Sequence, residues 1–187
     1  SVVELPMPSA IAHFRESDRT SQSLEGHLFG VARHARAHAD KVGLAKQGEL
    51  IGLLHDLGKY SAEFQSYLKS AVGLLDQDED AEYVDAADLR GKVDHSTAGA
   101  QLLWQKFSRS AAVESVHAPN AMLRTIVGQM LALCIASHHS GLIDCLSSDA
   151  RGLGENVFVR RMCKAQSRSH ADEASAESTY RDILEAY

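Results

Sequence analysis

Two short segments place potential metal ligands side by side, each at the end of an apolar run with helical spacing. The first is His55-Asp56, after a leucine-rich run over 50–54, and the second is His138-His139. A third apolar run carries His27, and Asp94-His95 opens a fourth. A single histidine on an apolar face is usually a packed side chain. Four helical segments that each supply such a residue predict a buried metal site.

The composition sets bounds on the class of protein. A chain of 187 residues is long enough for one domain with a real core. The net charge of −6 argues against a surface that coats nucleic acid generally. It leaves room for a local nucleic-acid groove, because bound metal ions carry their own positive charge. Three scattered cysteines and no signal peptide or membrane span favour a reducing, cytoplasmic setting without a membrane partner.

The apolar periodicity predicts an all-α fold, a helical bundle around the metal site. The apolar faces of the first two helices are expected to consist of Leu24, Leu28, Val31, Ala35 and Val42, and of Leu50, Leu53, Leu54 and Leu57. Five helices are expected, with glycines such as Gly43 and Gly58 as stop signals. The acidic run over 76–88 is expected to be a solvated loop. The stripe Met122, Ile126 and Met130 is expected to face the core. The helix that starts near Asp94 should be capped by that side chain, and four histidines are expected to face solvent: His34, His38, His117 and His170.

The ligand types limit the chemistry. Neighbouring residues on a helix point about 100° apart, so His55 and Asp56 serve two adjacent ions more easily than one, with the carboxylate as the bridge. Imidazoles with a carboxylate and open positions suit hydrolysis rather than a closed structural site. Metals about 3.5–4 Å apart can clamp a phosphodiester and activate a water. The residues alone therefore predict phosphoester hydrolysis.

Several segments, in order, carry a family resemblance. They are Ile11-Ala12-His13, Leu24-Glu25-Gly26-His27-Leu28, His55-Asp56-Leu57-Gly58-Lys59 with Phe64-Gln65-Ser66-Tyr67-Leu68, Asp94-His95-Ser96-Thr97-Ala98-Gly99-Ala100, and Ser137-His138-His139-Ser140-Gly141-Leu142. The chain resembles the HD nuclease of type I CRISPR systems, within the HD metallohydrolase superfamily. In that family this is the nuclease part of the CRISPR-associated nuclease-helicase. The resemblance covers roughly residues 11 to 145.

The resemblance implies a ligand set. By it, His27, His55 and Asp56 hold one ion, and Asp56 bridges to a second ion held by His95, His138 and His139. Lys59 contacts a phosphate or orients Asp56 as a further catalytic residue. The family usually has one more aspartate ligand downstream. Asp172 and Asp182 lack its context, so we expect either that the chain is truncated at its C-terminus or that its first metal site is incomplete. We expect residues 1–187 to be a single HD domain without the helicase part, either an isolated nuclease domain or a stand-alone nuclease subunit.

Other residues carry weaker signals. His13 is a candidate neighbour of the metal ligands, and a surface or packing role is as plausible for it. The cluster Arg160, Arg161 and Lys164 could guide a phosphate backbone, whereas a solvated helix face is the commoner role for such charges.

The resemblance also implies substrate and partners. The family acts on single-stranded DNA, as an endonuclease or exonuclease in antiviral defence, alongside a guide-RNA surveillance complex and a helicase domain or subunit. The expected cofactor is one or two divalent transition-metal ions: manganese, iron, nickel or cobalt, with zinc possible and magnesium less favoured. Two alternatives stay open: an HD phosphohydrolase acting on nucleotides or cyclic nucleotides, and a metal-poor docking module.

Overall fold

The described part of the chain is mostly helical, as the apolar pattern predicts. The computed structural model describes residues 10–113, 120–139, 141–143, 145, 148–149 and 152–187. Its strands are β1 (Ile11–Arg15), β2 (Thr20–Ser23), β3 (Ser148–Asp149) and β4 (Gly152–Leu153). Its helices are α1 (Leu24–Asp40), α2 (Ala45–Leu54), α3 (Ala62–Ala71), α4 (Ala86–Leu89), α5 (Thr97–Val113), α6 (Ala121–Ser137), α7 (Val157–Met162), α8 (Gln166–Ser169), α9 (Ala171–Ala176) and α10 (Ser178–Ala186). A 3₁₀ helix, Leu57–Tyr60, follows α2.

The core lies between α1, α2, α5 and α6. The buried leucines include those expected from the sequence: Leu24, Leu28, Leu50, Leu53, Leu54 and Leu57. Helix α1 begins at Ser23, whose hydroxyl accepts a hydrogen bond from the Gly26 amide at 3.1 Å. Helix α5 begins after Asp94, which accepts from the Thr97 amide at 3.1 Å and so confirms the predicted cap.

A β-hairpin near the start of the chain departs from the all-helical expectation. Strands β1 and β2 pair antiparallel, with an irregular register between Ile11 and His13. Both Ile11 and Ala12 are buried, so the hairpin lacks the alternation of buried and exposed residues by which a strand is recognised in a sequence. Because the two strands are short and interrupted by a bulge, their sequences show no alternation of apolar and polar residues.

Two glycines let the chain cross itself closely at one point. A Cβ on Gly58 would overlap the backbone of His95, and a Cβ on Gly99 would overlap the carbonyl oxygen of Leu54. The segment that ends α2 and the segment that begins α5 therefore touch through their backbones. This contact brings His55-Asp56 next to His95.

Three sequence expectations about burial are wrong. Met122, Ile126 and Met130 are exposed, with 77%, 41% and 62% of their surface accessible, because α6 instead buries a different face, which consists of Gly128, Leu131, Ala132, Ile135 and Ala136. Val42, expected to extend the apolar face of the first helix, is exposed beyond the end of α1. His170, expected to face solvent, is buried.

Local contacts explain the burial of His170. Its Nε2 lies 3.0 Å from an oxygen of Glu63, and its Nδ1 lies 3.1 Å from an oxygen of Glu173. His34 and His38 are exposed as expected, and His117 lies outside the described residues.

The acidic run over 76–88 is largely exposed and ends in the short helix α4, which agrees with the expected solvated segment. Among the described residues, none of the helices has the length and apolar character needed to cross a bilayer.

Candidate metal centre

The centre is built around one buried carboxylate. Asp56 is 3% exposed and sits where α2 gives way to the 3₁₀ helix. Each of the five histidines proposed as ligands directs its Nε2 toward Asp56. The distances are 3.1 Å for His27, 3.2 Å for His55, 3.3 Å for His138, 3.7 Å for His95 and 3.8 Å for His139. Residues far apart in sequence thus converge on one side chain.

The histidines divide between the two oxygens of Asp56. His27 and His55 approach Oδ2, together with Lys59, and we call this group the Oδ2 side. His95, His138 and His139 approach Oδ1, and we call them the Oδ1 side. Such a division suits a carboxylate that bridges two ions. The histidines at each oxygen are also those that the family resemblance groups around each ion.

Backbone carbonyls orient the imidazoles. The Nδ1 atoms of three histidines lie next to carbonyl oxygens: His55 to Gly52 at 2.8 Å, His138 to Ile135 at 2.7 Å, and His95 to Val93 at 3.2 Å. A carbonyl oxygen can only accept, so each Nδ1 carries the proton and donates. Each Nε2 is then left with a lone pair that points into the centre. This tautomer is the one that histidine ligands adopt around metals.

The donor set fits a metal cation. The Nε2 atoms of His95 and His139 lie 2.7 Å apart, and those of His27 and His55 lie 3.2 Å apart. Since His55 and His95 present lone pairs there, each contact is stabilised either by a proton on Nε2 of His27 or His139 or by a cation that both nitrogens bind. Burial lowers the pKa of His95 to about 4, which disfavours a proton as that cation near neutral pH. Two groups can hold an ion: Asp56 with His95, His138 and His139, and Asp56 with His13 and His27.

The carboxylate stays ionised despite its burial. Burial by itself raises the pKa of Asp56, but the surrounding imidazole groups of His138, His27 and His55 outweigh it and hold the pKa far below its usual range. Lys59 is also buried, and its Nζ donates to Oδ2 at 2.9 Å. An ionised, oriented carboxylate is the form that binds metal ions.

The hairpin closes the Oδ2 side. The ring of His13 on β1 meets the ring of His27 edge-on, with centroids 4.8 Å apart. Gln65 on α3 holds β1 in place, because its side chain accepts from the amide of Ile11 and donates to the carbonyls of Ile11 and Lys59. The structure thus places His13 beside the centre and at the surface. The sequence analysis predicted neither the hairpin nor the role of Gln65 in holding it.

The basic residues of α7 and its C-terminal flank take different positions. Arg160 is exposed and pairs with Glu155 at 2.9 Å. Arg161 turns inward and donates to protein acceptors, and Lys164 pairs with Asp94 at 2.8 Å. Of the three, Arg161 does not have the exposed position expected of a residue that guides a phosphate backbone.

Two aspartates considered in the sequence lie away from the centre. Asp172 and Asp182 are exposed on α9 and α10, and they belong to neither of the two ligand groups. Asp94 has a role beyond the helix cap that the sequence predicts for it. It also binds Lys164, which a sequence pattern gives no means to foresee.

Comparison with known proteins agrees with this geometry. No curated protein gives a significant match to the chain. The family model described as "Cas3, HD domain" matches residues 15–185, which is most of the chain and includes the His27, His55-Asp56, His95 and His138-His139 segments. The chain therefore belongs to the Cas3 HD-domain family, the HD nucleases of type I CRISPR systems.

Proposed function

We propose that this domain is a metal-dependent nuclease that hydrolyses phosphodiester bonds of single-stranded DNA during CRISPR interference. One observation carries the proposal. A buried, ionised carboxylate has imidazole nitrogens at both of its oxygens, and the same protein belongs to a nuclease family. Such a carboxylate is suited to hold two ions side by side.

The openness of the centre supports a polymeric substrate. The side chain of His139 is 55% exposed, and His13 is exposed on the opposite side, next to His27. A strand can lie across such a surface with its phosphate at the centre and its flanking nucleotides outside. A small nucleotide is more commonly bound in an enclosed pocket.

The residues have distinct roles in this proposal. When bound, a pair of divalent ions supplies charge stabilisation to the phosphate and lowers the pKa of water. His27, His55, His95, His138 and His139 would hold those ions, with Asp56 shared between them. Lys59 fixes the rotamer of Asp56, because its ammonium group is buried against Oδ2 rather than turned toward solvent. It is therefore better placed to orient Asp56 than to contact a phosphate.

The ligand types favour transition metals. Five imidazoles and one carboxylate are a poor match for magnesium or calcium, which prefer oxygen ligands. Manganese, iron, nickel and cobalt match the set, and zinc is compatible with it. We propose that the strand is supplied by a guide-RNA surveillance complex, which displaces it from a duplex, together with a helicase domain or subunit.

Cleavage of circular single-stranded DNA tests the proposal. Wild type, Asp56→Asn and Asp40→Asn would be compared with added manganese, nickel or cobalt. Asp40 is an exposed aspartate at the end of α1 and serves as the matched control. We expect cutting by wild type and the control but not by Asp56→Asn, since the amide cannot serve as an anionic bridge. A circle has no ends, so cutting shows endonuclease action.

Other outcomes point elsewhere. Cleavage by Asp56→Asn at the wild-type rate would refute the assignment of the metal centre as the catalytic site. Metal binding by wild type with hydrolysis of nucleotides but not of linear or circular DNA would indicate a nucleotide phosphohydrolase. Absence of both metal binding and cleavage would indicate a docking module.

A further inference from the structure

Arg161 lies directly behind the Oδ1 side of the centre. Its guanidinium group donates from Nε to the hydroxyl of Thr97 at 2.6 Å and from Nη2 to the hydroxyl of Ser96 at 2.6 Å. Its Nη1 donates to the carbonyl oxygen of Ala136 at 2.8 Å, and Nη2 also lies 3.5 Å from Asp94. One side chain therefore uses all three of its nitrogens on the protein itself.

The acceptors flank the ligands of the Oδ1 side. Asp94 and Ser96 are the two chain neighbours of His95, and Thr97 begins α5. Ala136 lies in the last turn of α6, two residues before His138. Its carbonyl group is one of the last four of the helix, which have no hydrogen-bond donor within the helix itself. Arg161 thus ties the segment that carries His95 to the segment that carries His138 and His139.

These hydrogen bonds of Arg161 support a close contact between two histidines of the Oδ1 side. The Nε2 atoms of His95 and His139 lie 2.7 Å apart, although the two residues belong to segments that meet only in the folded protein. A shift of either segment by a fraction of an ångström would change the spacing of these ligands. The guanidinium group donates to these three acceptors from three different nitrogens, which a lysine ammonium with a single nitrogen cannot do.

The Oδ2 side has separate supports. His27 is carried by α1, and His55 is held by the carbonyl of Gly52 within α2. The acceptors of Arg161 lie instead in the segment 94–97 and in α6. Loss of Arg161 should therefore affect one side of Asp56 more than the other.

We propose that Arg161 is a positioning residue that holds His95, His138 and His139 in register to bind a metal ion on the Oδ1 side. The proposal rests on the metal-dependent function proposed above. It differs from a role in guiding DNA, because Arg161 acts through the ligands and not on the phosphate. It differs from a general structural role, because its effect is confined to one of two ion sites.

Titration of the metal-free proteins with Co²⁺ tests the proposal. Calorimetry gives the number and affinity of sites, and visible absorption reports the ligand geometry. The variants are Arg161→Gln and Arg161→Lys. Arg36→Gln is the matched control, since Arg36 joins α1 to α2 through Glu49 at 2.5 Å. Loss of an outer partner of metal ligands typically lowers affinity about 10–100-fold.

We expect two Co²⁺ sites in wild type and in Arg36→Gln. In Arg161→Gln, one site should keep its affinity within about twofold, and the other should weaken by about 10–100-fold. Arg161→Lys should resemble Arg161→Gln, because one ammonium group cannot span the three acceptors. For cleavage of single-stranded DNA at a fixed Co²⁺ concentration, kcat should fall while KM changes little.

Three results would overturn the proposal while leaving the metal centre intact. Unchanged affinity at both sites with a raised KM would make Arg161 a DNA contact. Equal weakening of both sites with a lowered melting temperature would make its role purely structural. Full rescue of both sites by Arg161→Lys would show that only the charge matters. Absence of any Co²⁺ site in wild type would instead refute the proposed function itself, and this inference with it.

Discussion

Gln65 offers a sharp test of how the hairpin is held over the centre. Its amide oxygen accepts from the Ile11 amide at 3.0 Å, and its amide nitrogen donates to the carbonyls of Ile11 at 3.0 Å and Lys59 at 2.7 Å. The side chain is buried. All of these bonds depend on an amide, which supplies a donor and an acceptor at once.

Replacement by leucine removes three hydrogen bonds and leaves their backbone partners without this side-chain partner. At about 0.5–1.5 kcal/mol for each bond, we expect Gln65→Leu to lower the free energy of unfolding by about 3 kcal/mol. For a chain of this size that corresponds to a fall in melting temperature of about 6–12 °C. Gln22→Leu on the exposed face of β2 is the matched control, with an expected change within about 0.5 kcal/mol.

Gln65→Glu adds a pH dependence whose sign follows from the geometry. A carboxylate would place negative charge against two carbonyl oxygens, so the folded state favours the protonated form and raises the pKa of the new carboxyl group. A raised folded-state pKa gives stability that is present at low pH and lost as pH rises. The deficit of Gln65→Glu relative to wild type should therefore be smallest below the ordinary glutamate pKa and should grow toward pH 7.

Urea unfolding followed by circular dichroism at pH 4 and pH 7 measures both effects. An unchanged midpoint for Gln65→Leu would refute the reasoning, since it would mean that three buried hydrogen bonds contribute nothing net. A deficit of Gln65→Glu that is larger at pH 4 than at pH 7 would refute the assigned direction of the amide.

Further expectations concern the backbone crossing, the exposed face of α6 and metal binding. Gly99→Ala should destabilise the fold by several kcal/mol in urea unfolding, because its Cβ would overlap the carbonyl oxygen of Leu54; a change below about 0.5 kcal/mol would contradict that contact. Met130→Gln should leave stability within about 0.5 kcal/mol of wild type, because the side chain is exposed, and a loss above 2 kcal/mol, on the scale of about 2–5 kcal/mol for core truncations, would restore the core assignment. Mn²⁺ at about 100 times its dissociation constant should stabilise wild type by about 2.7 kcal/mol, and Asp56→Asn should lose most of this gain in a thermal shift assay.

The ligand-bearing segments could be found from the sequence because their signals are local. A histidine beside an aspartate at the end of a leucine run, or a histidine pair at the end of another run, needs no knowledge of the fold. The inference that Asp56 serves two ions came from the angular spacing of residues on a helix. The structure brings histidines to both of its oxygens, so the local geometry was informative about the assembled site.

The face of α6 that packs against the core could not be predicted in the same way. This helix is apolar on more than one side, so its periodicity does not say which side meets the core. The structure exposes Met122 and Met130 and buries a face made of Gly128, Leu131, Ala132, Ile135 and Ala136. Small residues face inward because α5 approaches closely there, with Phe107 lying where a Cβ on Gly128 would be. The buried face therefore combines these small residues with the apolar side chains of Leu131 and Ile135, a combination that helical periodicity alone does not distinguish from the exposed face.

The supports of the centre were also invisible, since they are long-range polar contacts between residues of ordinary type. Gln65 holds β1 beside the Oδ2 side, and Arg161 holds the segments of the Oδ1 side. Asp56 contacts the histidines of both sides, and the rings of His55 and His138 also meet between the two sides, with centroids 5.2 Å apart. Displacements on one side can therefore reach the other through that ring contact and through the carboxylate of Asp56, whose position Lys59 fixes by a buried ion pair. The two sides of the centre thus have separate supports, Gln65 for the Oδ2 side and Arg161 for the Oδ1 side, and share the carboxylate of Asp56.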